Sequence, residues 1–314
     1  MSKTELSLPV GNASGAQHLK QSESAVVRSR RKTRNRRTKE LLTMAVLLLP
    51  ALGMLLLFRL LPALYAFAES FLHNGAFAGW GNYSFLFQSA SFWGSLRTTL
   101  LFSIIINPVQ IICSLLLAVL LTQKLPGTSI WRTLIFLPVT IPFISSAIVW
   151  SVAFRPDGIL NALLSTLHLP PQPFLTSPAQ ALYCIMILAS WIGVGYWMMF
   201  LIAGLREIPD MYREAAAIDG AGTLRTFFQI VLPLLRRPLA FVLVADTVAN
   251  FLLFAPIQAL TRGGPDDSTN LIMFDIFRQG YTFGDFGLAE AEVSVLVVVM
   301  LIVVLLQFKL LQSD

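Results

Sequence analysis

Hydrophobic positions in this chain do not alternate along strands or recur as a stripe on polar helices. They fill long, nearly unbroken runs, at about 41–68, 97–122, 131–154, 180–203, 235–258 and 289–311. A helix needs about 20 apolar residues to cross the hydrocarbon core of a bilayer. Each run is long enough, so the pattern predicts an all-α integral membrane protein with six transmembrane helices. Pro62, Pro108, Pro138, Pro142 and Pro256 lie inside or at the edges of these runs. Neighbouring helices in a bilayer can satisfy the backbone groups that a proline frees, so these positions read as kinks or breaks within spans.

The polar segments sort by charge. Residues 1–40 carry no apolar period and read as a basic, largely disordered tail, leaving 41–314 as the transmembrane domain. From Arg28 to Lys39, eight of twelve residues are basic. With the tail inside, the inner segments hold eighteen Lys and Arg: Lys3, Lys20, those eight, Lys124, Arg132, Arg206, Arg213, Arg225, Arg236, Arg237 and Lys309. The outer side holds four, Arg97, Arg155, Arg262 and Arg278. This asymmetry places both termini in the cytoplasm. The basic run then reads as an anchor against anionic membrane lipid, not as a nucleic-acid arm. Ala66-Phe67-Ala68 resembles a signal cleavage site, but the apolar run before it is longer than a signal core, so cleavage is not expected.

Composition narrows the function. The chain is 55% hydrophobic and 13% charged, against about 25% charged in soluble domains, which excludes a large soluble domain. Cys113 and Cys184 lie in apolar runs, and His18, His73 and His168 are scattered, so neither a disulfide framework nor a metal site is indicated. The Gly-x-x-x-x-Gly-Lys-Ser/Thr phosphate loop is absent, so this chain is not expected to hydrolyse nucleotide. Asp266-Asp267 beside Gly263-Gly264-Pro265 reads as a solvated turn, which disfavours a membrane-embedded enzyme. A secondary transporter acting without an ATPase remains an alternative. It should show an internal repeat, and none is clear.

The longest inner segment, 205–233, reads as two short helices with a sharp turn. Pro209 ends the preceding span, Asp210 caps an alanine-rich helix over 211–219, and Gly220 and Gly222 stop it. Thr223 caps a second short helix that ends before Pro233. Such a pair is either a docking element or an amphipathic connector on the membrane surface.

Glu214-Ala215-Ala216, then Gly220, Ile230 and Leu232-Pro233 occur at the spacing of the cytoplasmic signature loop of ABC importer permeases, which this segment closely resembles. Gly81-Asn82-Tyr83, Ala217-Ile218-Asp219-Gly220-Ala221, Leu260-Thr261-Arg262-Gly263-Gly264-Pro265 with Thr269, and Ala289 with Ala291 resemble the carbohydrate-uptake branch of that family. The resemblance covers about 40–314. It implies that 205–233 is the coupling loop, with Glu214, Ala215, Ala216, Asp219 and Gly220 contacting an ABC ATPase dimer. It further implies alternating access, a second homologous permease in a heterodimer, and an extracytoplasmic solute-binding protein. This chain would bind no cofactor, with ATP and Mg on the ATPase, and would sit in a bacterial cytoplasmic (inner) membrane. The length of the basic tail and the Glu290/Glu292 pair are not explained by the resemblance.

Polar side chains inside spans are costly, so they are candidates for function. Asp246 and Asn250 stand four apart on one helix face, with Gln258 two turns further on. Asn107 and Gln110 face together on the second span, and Trp191, Tyr196 and Trp197 flank the glycines of the fourth. Amide, carboxylate and aromatic groups suit a sugar or related polyol, so these residues are candidates for the substrate path. The alternative is that they bond helix to helix. Arg59 either snorkels to the membrane surface or meets an anionic solute such as a glycerol phosphate.

Overall fold

The computed structural model describes residues 43–73, 75–123 and 126–312. The basic tail 1–40 and Lys124 lie outside the described residues. Among the described residues, helices make up all the regular structure except one small hairpin. Its strands β1 (Leu72–His73) and β2 (Ala76–Phe77) pair antiparallel, with Leu72 opposite Phe77.

The first helix, α1 (Thr43–Glu69), is 27 residues long with a mean hydropathy of 2.3. It contains a π-turn at Leu56–Leu60 that carries Arg59. Among the described residues, those up to Tyr65 fall in one unit and those from Ala66 in a second.

In the second unit, α2 (Gly81–Gln88) precedes α3 (Ala90–Thr122), a helix of 33 residues. The helix α3 starts well before the expected 97. Ser89 is extended and its side chain accepts the Phe92 N–H, and the added turns bury Phe92, Ser95 and Leu96. Those turns mix Ser and Gly with aromatic residues, so no apolar run marks them. Pro108 stays inside α3.

The third span, expected over 131–154 with kinks or breaks at Pro138 and Pro142, is broken there. It is α4 (Thr128–Phe136), a 3-10 turn at Leu137–Thr140 and α5 (Phe143–Ala153), bent by 99°. Pro138 and Pro142 cause the break: Pro142 lacks an N–H and forces Ile141 out of the helical region, to ψ 130°. After the helix α6 (Ile159–Thr166) comes α7 (Ala181–Arg206), then α8 (Met211–Ile218) and α9 (Thr223–Leu234). The fifth span is α10 (Arg236–Phe251) and α11 (Ala255–Leu260), interrupted before Pro256. A short helix α12 (Ile272–Phe277) leads to α13 (Phe286–Gln312). By length and composition, five helices among the described residues can cross a membrane, or six with the bent α4–α5 pair as one span.

The helices α3 and α7 form the most extensive helix pair, and α10 packs on both. Ala118 and Leu121 of α3, Met198 and Leu201 of α7 and Val242 of α10 form one core cluster, with Val231 and Leu235. Phe102, Ile106, Ile185 and Ile257 form a second, and Leu86, Phe92, Phe251, Ile272 and Leu288 a third. Lipid tails are as apolar as leucine, so helices in a bilayer associate through close packing and hydrogen bonds instead of burial from water. Gly195 shows how close. A Cβ there would lie 2.3 Å from the Ile135 carbonyl oxygen, so the α4 backbone rests on the bare face of α7.

Gly195→Ala must therefore push α4 off α7, at a cost of about 1–3 kcal/mol typical of overpacking. The detergent-solubilised chain should melt at a lower temperature. Gly94→Ala, whose Cβ meets nothing within 4 Å, should leave the melting temperature unchanged.

Candidate functional site

Two features carry chemistry. The first is the segment between α7 and α10. Leu205 and Ile208 are buried and anchor its start in the same cluster as Val231 and Leu235. Asp210 sits at the N-cap of α8, but its backbone is already helical and its side chain makes no capping bond. Its carboxylate instead takes Arg213 Nη1 at 3.4 Å on the surface, a contact of little energetic weight.

The C-terminus of α8 is closed tightly. Gly220 has φ +72°, the Ala221 N–H donates to the Ala216 carbonyl at 2.9 Å and the Gly220 N–H to Ala217 at 3.1 Å. This is a Schellman turn, which needs a left-handed residue where glycine stands. A Cβ on Gly220 would meet nothing within 4 Å, so the requirement is conformational, not steric. Gly222, not Thr223, occupies the cap position of α9, and the Thr226 hydroxyl donates back to the Gly222 carbonyl at 3.1 Å. The helix does not end before Pro233. It passes a π-turn at Phe227–Val231 and continues to Leu234, because Pro233 falls at the start of the next α-turn, where its missing N–H is tolerated.

This segment exposes Glu214, Ala215, Asp219 and Gly220. Beside them two large apolar side chains stand out, Ile218 at 86% and Leu224 at 74% exposure. Ala216 is different: it is 3% exposed and faces the chain's own interior. Its contribution is the carbonyl that closes the Schellman turn.

The second feature is a polar network among the spans. Asn250 Nδ2 donates to Asn107 Oδ1 at 2.7 Å, Gln110 Oε1 at 3.2 Å and Asp246 Oδ1 at 3.1 Å. Trp197 Nε1 donates to Asp246 Oδ1 at 2.6 Å, while Asp246 Oδ2 has no partner among the described residues. Asn107 Nδ2 donates to Ser103 and Thr247 hydroxyls, each at 2.8 Å, and Gln307 Nε2 reaches Thr247 at 2.8 Å. The network ties α3, α7, α10 and α13 together. Asn107, Gln110, Asp246 and Asn250 are at most 4% exposed; they are brought together, but inside the bundle of this one chain. The helix breaks between Asn250 and Gln258, at Leu252–Phe254, so their spacing does not put them on one helix face.

Trp191 and Tyr196 present open ring surface, at 38% and 40% exposure. Trp191 packs edge-on against Trp150 of α5 at 5.8 Å, and Tyr196 against Phe200 at 5.2 Å. Sequence reasoning missed Ser103, Thr247 and Gln307. Hydroxyls and single amides in an apolar run carry no spacing signal until the helices are placed.

Five or six candidate spans among the described residues, with an exposed, tightly closed helix pair between two of them, define the chain as a multi-pass membrane protein. Residues 110–313 match the family model described as the binding-protein-dependent transport system inner membrane component. The sn-glycerol-3-phosphate transport system permease protein of Yersinia pestis is 32% identical, over 84% of this chain and 92% of the relative. The trehalose/maltose transport system permease protein of Thermococcus litoralis is 32% identical, over 82% of this chain and 89% of the relative. The fold also matches a chain of a bacterial ABC transporter involved in import of the acidic polysaccharide alginate, with TM-score 0.79 at 23% identity, over 88% of this chain and 96% of that one. The chain belongs to this family of binding-protein-dependent ABC importer permeases and is a non-catalytic, multi-pass membrane component.

The polar network predicts a stability effect. Asn250→Ala removes a donor from three buried acceptors; Asp246 Oδ1 keeps Trp197, but Asn107 Oδ1 and Gln110 Oε1 are left unsatisfied, at about 1–3 kcal/mol each. The variant should melt well below wild type in detergent, whereas Tyr196→Phe, on an exposed ring, should melt with it.

Proposed function

We propose that this permease moves a sugar, a related polyol or a glycerol phosphate across the bacterial cytoplasmic membrane by alternating access. ATP, with Mg, is hydrolysed on a partner ATPase dimer docked against α8. Support for the solute class comes from the relatives, one named for glycerol 3-phosphate and one for trehalose and maltose. An extracytoplasmic binding protein delivers the solute, and a second homologous permease completes the path as a heterodimer. Both termini lie in the cytoplasm, following the positive-inside asymmetry.

The observation that carries the coupling role is the geometry of α8 and its turn. The helix is short, ends in a Schellman turn and is anchored at both flanks by buried Ile208 and Val231. It holds Glu214, Ala215, Asp219 and Gly220 out to solvent beside Ile218. Alanine and glycine let a partner surface approach the backbone, Glu214 supplies a charged contact and Ile218 a protruding apolar one. Ala216 acts from behind, by closing the turn. Within the membrane, Trp191 and Tyr196 offer ring faces on which a sugar can stack. Asn107, Gln110, Asp246 and Asn250 set the positions of the helices that carry those rings.

Gly220→Asp places a side chain where φ must be +72°, costing about 1–2 kcal/mol in the turn; Glu214→Lys reverses the exposed charge. Each should abolish ATP-driven uptake in cells expressing the complete transporter, while the variant chain still reaches the membrane in wild-type amount. Co-purification of the ATPase should fall in both. Normal uptake in both variants, with no ATPase captured by the wild type, would favour a transporter that works without an ATPase.

A further inference from the structure

The transport reading gives no role to the stretch that joins α1 to α3. Residues 70–96 contain no Lys, Arg, Asp or Glu, and eight of these 27 residues are Phe, Trp or Tyr. The stretch 261–288, which leads into the start of α13, holds six charged residues in 28. The hairpin and α2 pack on that same start of α13, so the two stretches lie at one end of the bundle and differ in what they face.

One side of the uncharged stretch is closed against α13. A Cβ on Gly287 would lie 2.1 Å from the Leu72 carbonyl oxygen, so the hairpin rests directly on the α13 backbone. Asn82 Nδ2 donates to the carbonyls of Ser70 at 2.9 Å and Leu72 at 2.7 Å. The Ser70 and Tyr83 hydroxyls share a hydrogen bond of 2.7 Å, and His73 meets Asp285 at 3.8 Å. Asn82, Tyr83 and Leu86 of α2 are buried.

The other side is aromatic and open. Phe77 is 80% exposed, Trp80 71% and Phe85 63%. Trp80 is held in place by Phe71 at 5.4 Å and Tyr83 at 5.2 Å. Trp93, also exposed, donates its indole N–H to the Phe87 carbonyl at 2.8 Å, so its one donor is satisfied within the chain. An exposed apolar patch of this kind marks a protein or membrane contact.

The length of α3 decides between them. Its 33 residues span about 50 Å, against a hydrocarbon core of about 30 Å. Residues 98–121 carry no charge and fill that core. Arg97 then stands at its boundary, and Trp93 about 6 Å beyond, one turn further along the axis. That is the headgroup layer, where amphipathic rings concentrate. Only Ser89 separates α2 from α3, and Phe87 lies 6.3 Å from Trp93, so α2 starts from the same level. A soluble partner docking here would find no charge to orient it, whereas a lipid boundary needs none.

We propose that the hairpin and α2 form an interfacial anchor. Phe77, Trp80, Phe85 and Trp93 enter the boundary between lipid headgroups and acyl chains, and Asn82 ties this anchor to α13, which fixes the depth of the α13 end.

The test uses the transporter purified with its partner subunits and reconstituted in phosphatidylcholine–phosphatidylglycerol vesicles. A spin label is placed at Phe77→Cys or Phe85→Cys in a chain carrying Cys113→Ser and Cys184→Ala. Asp157→Cys, in an exposed turn, gives the comparison. Collision with oxygen, which concentrates in lipid, should exceed collision with a water-soluble nickel chelate at both aromatic positions. The ratio should be several-fold lower at Asp157→Cys. A second measurement keeps both native cysteines. Phosphatidylcholine brominated near the head of the acyl chain should quench a larger fraction of the tryptophan fluorescence in wild type than in the Trp80→Phe, Trp93→Phe double variant. Dominant nickel collision at both aromatic positions overturns the proposal and leaves the face in water. Exclusion of both reagents also overturns it and assigns the face to a neighbouring subunit. Equal quenched fractions in wild type and double variant overturn it on the unlabelled protein.

Discussion

Trp197 donating to Asp246, and Asn250 donating to Asn107 and Gln110, are the bonds on which the rest of the bundle depends. In lipid, apolar side chains gain little by choosing a helix over a hydrocarbon tail. A rotation of α10 by one residue would cost a soluble protein some core area. Here it would also leave an amide, an indole N–H and a carboxylate without partners in a medium that offers no water. The network therefore specifies which faces of α3, α7 and α10 meet, and the glycine at position 195 then sets how near α4 comes. Leucine and isoleucine fill the remaining space, but they would fill it almost as well in another register.

The same interaction explains which parts of the structure were legible in the sequence. Long apolar runs announce spans because a span is defined by its length, and the short polar joins between them follow. The extra turns at Ala90 were not legible, since Ser91, Gly94 and Ser95 interrupt any apolar run. Pro138 and Pro142 marked a break in the third span, but a proline fixes only the local backbone and not the 99° between the two halves. At the site, Gly220 was readable because a left-handed residue is a local demand. The inward turn of Ala216 was not, because burial depends on what lies behind the helix. Spacing showed that Asp246 and Asn250 share a face. It could not show that this face meets α3 and α7, where these residues hydrogen-bond from helix to helix.

These two features are joined through α7 and α10. Ile208 and Val231 flank the exposed α8 and pack with Trp197, Leu235 and Val242 in one cluster. Trp197 also holds Asp246, so any displacement of α8 reaches both long helices and, through Asn107 and Gln110, α3. A flexible loop in the same place would absorb that displacement. The Schellman turn at Gly220 and the continuation of α9 through Pro233 remove that slack, and the polar network passes the movement on because its bonds hold one arrangement or break. The buried amides thus bond α3 and α10 into the same packed unit as the residues that flank α8, so these elements are held in one arrangement.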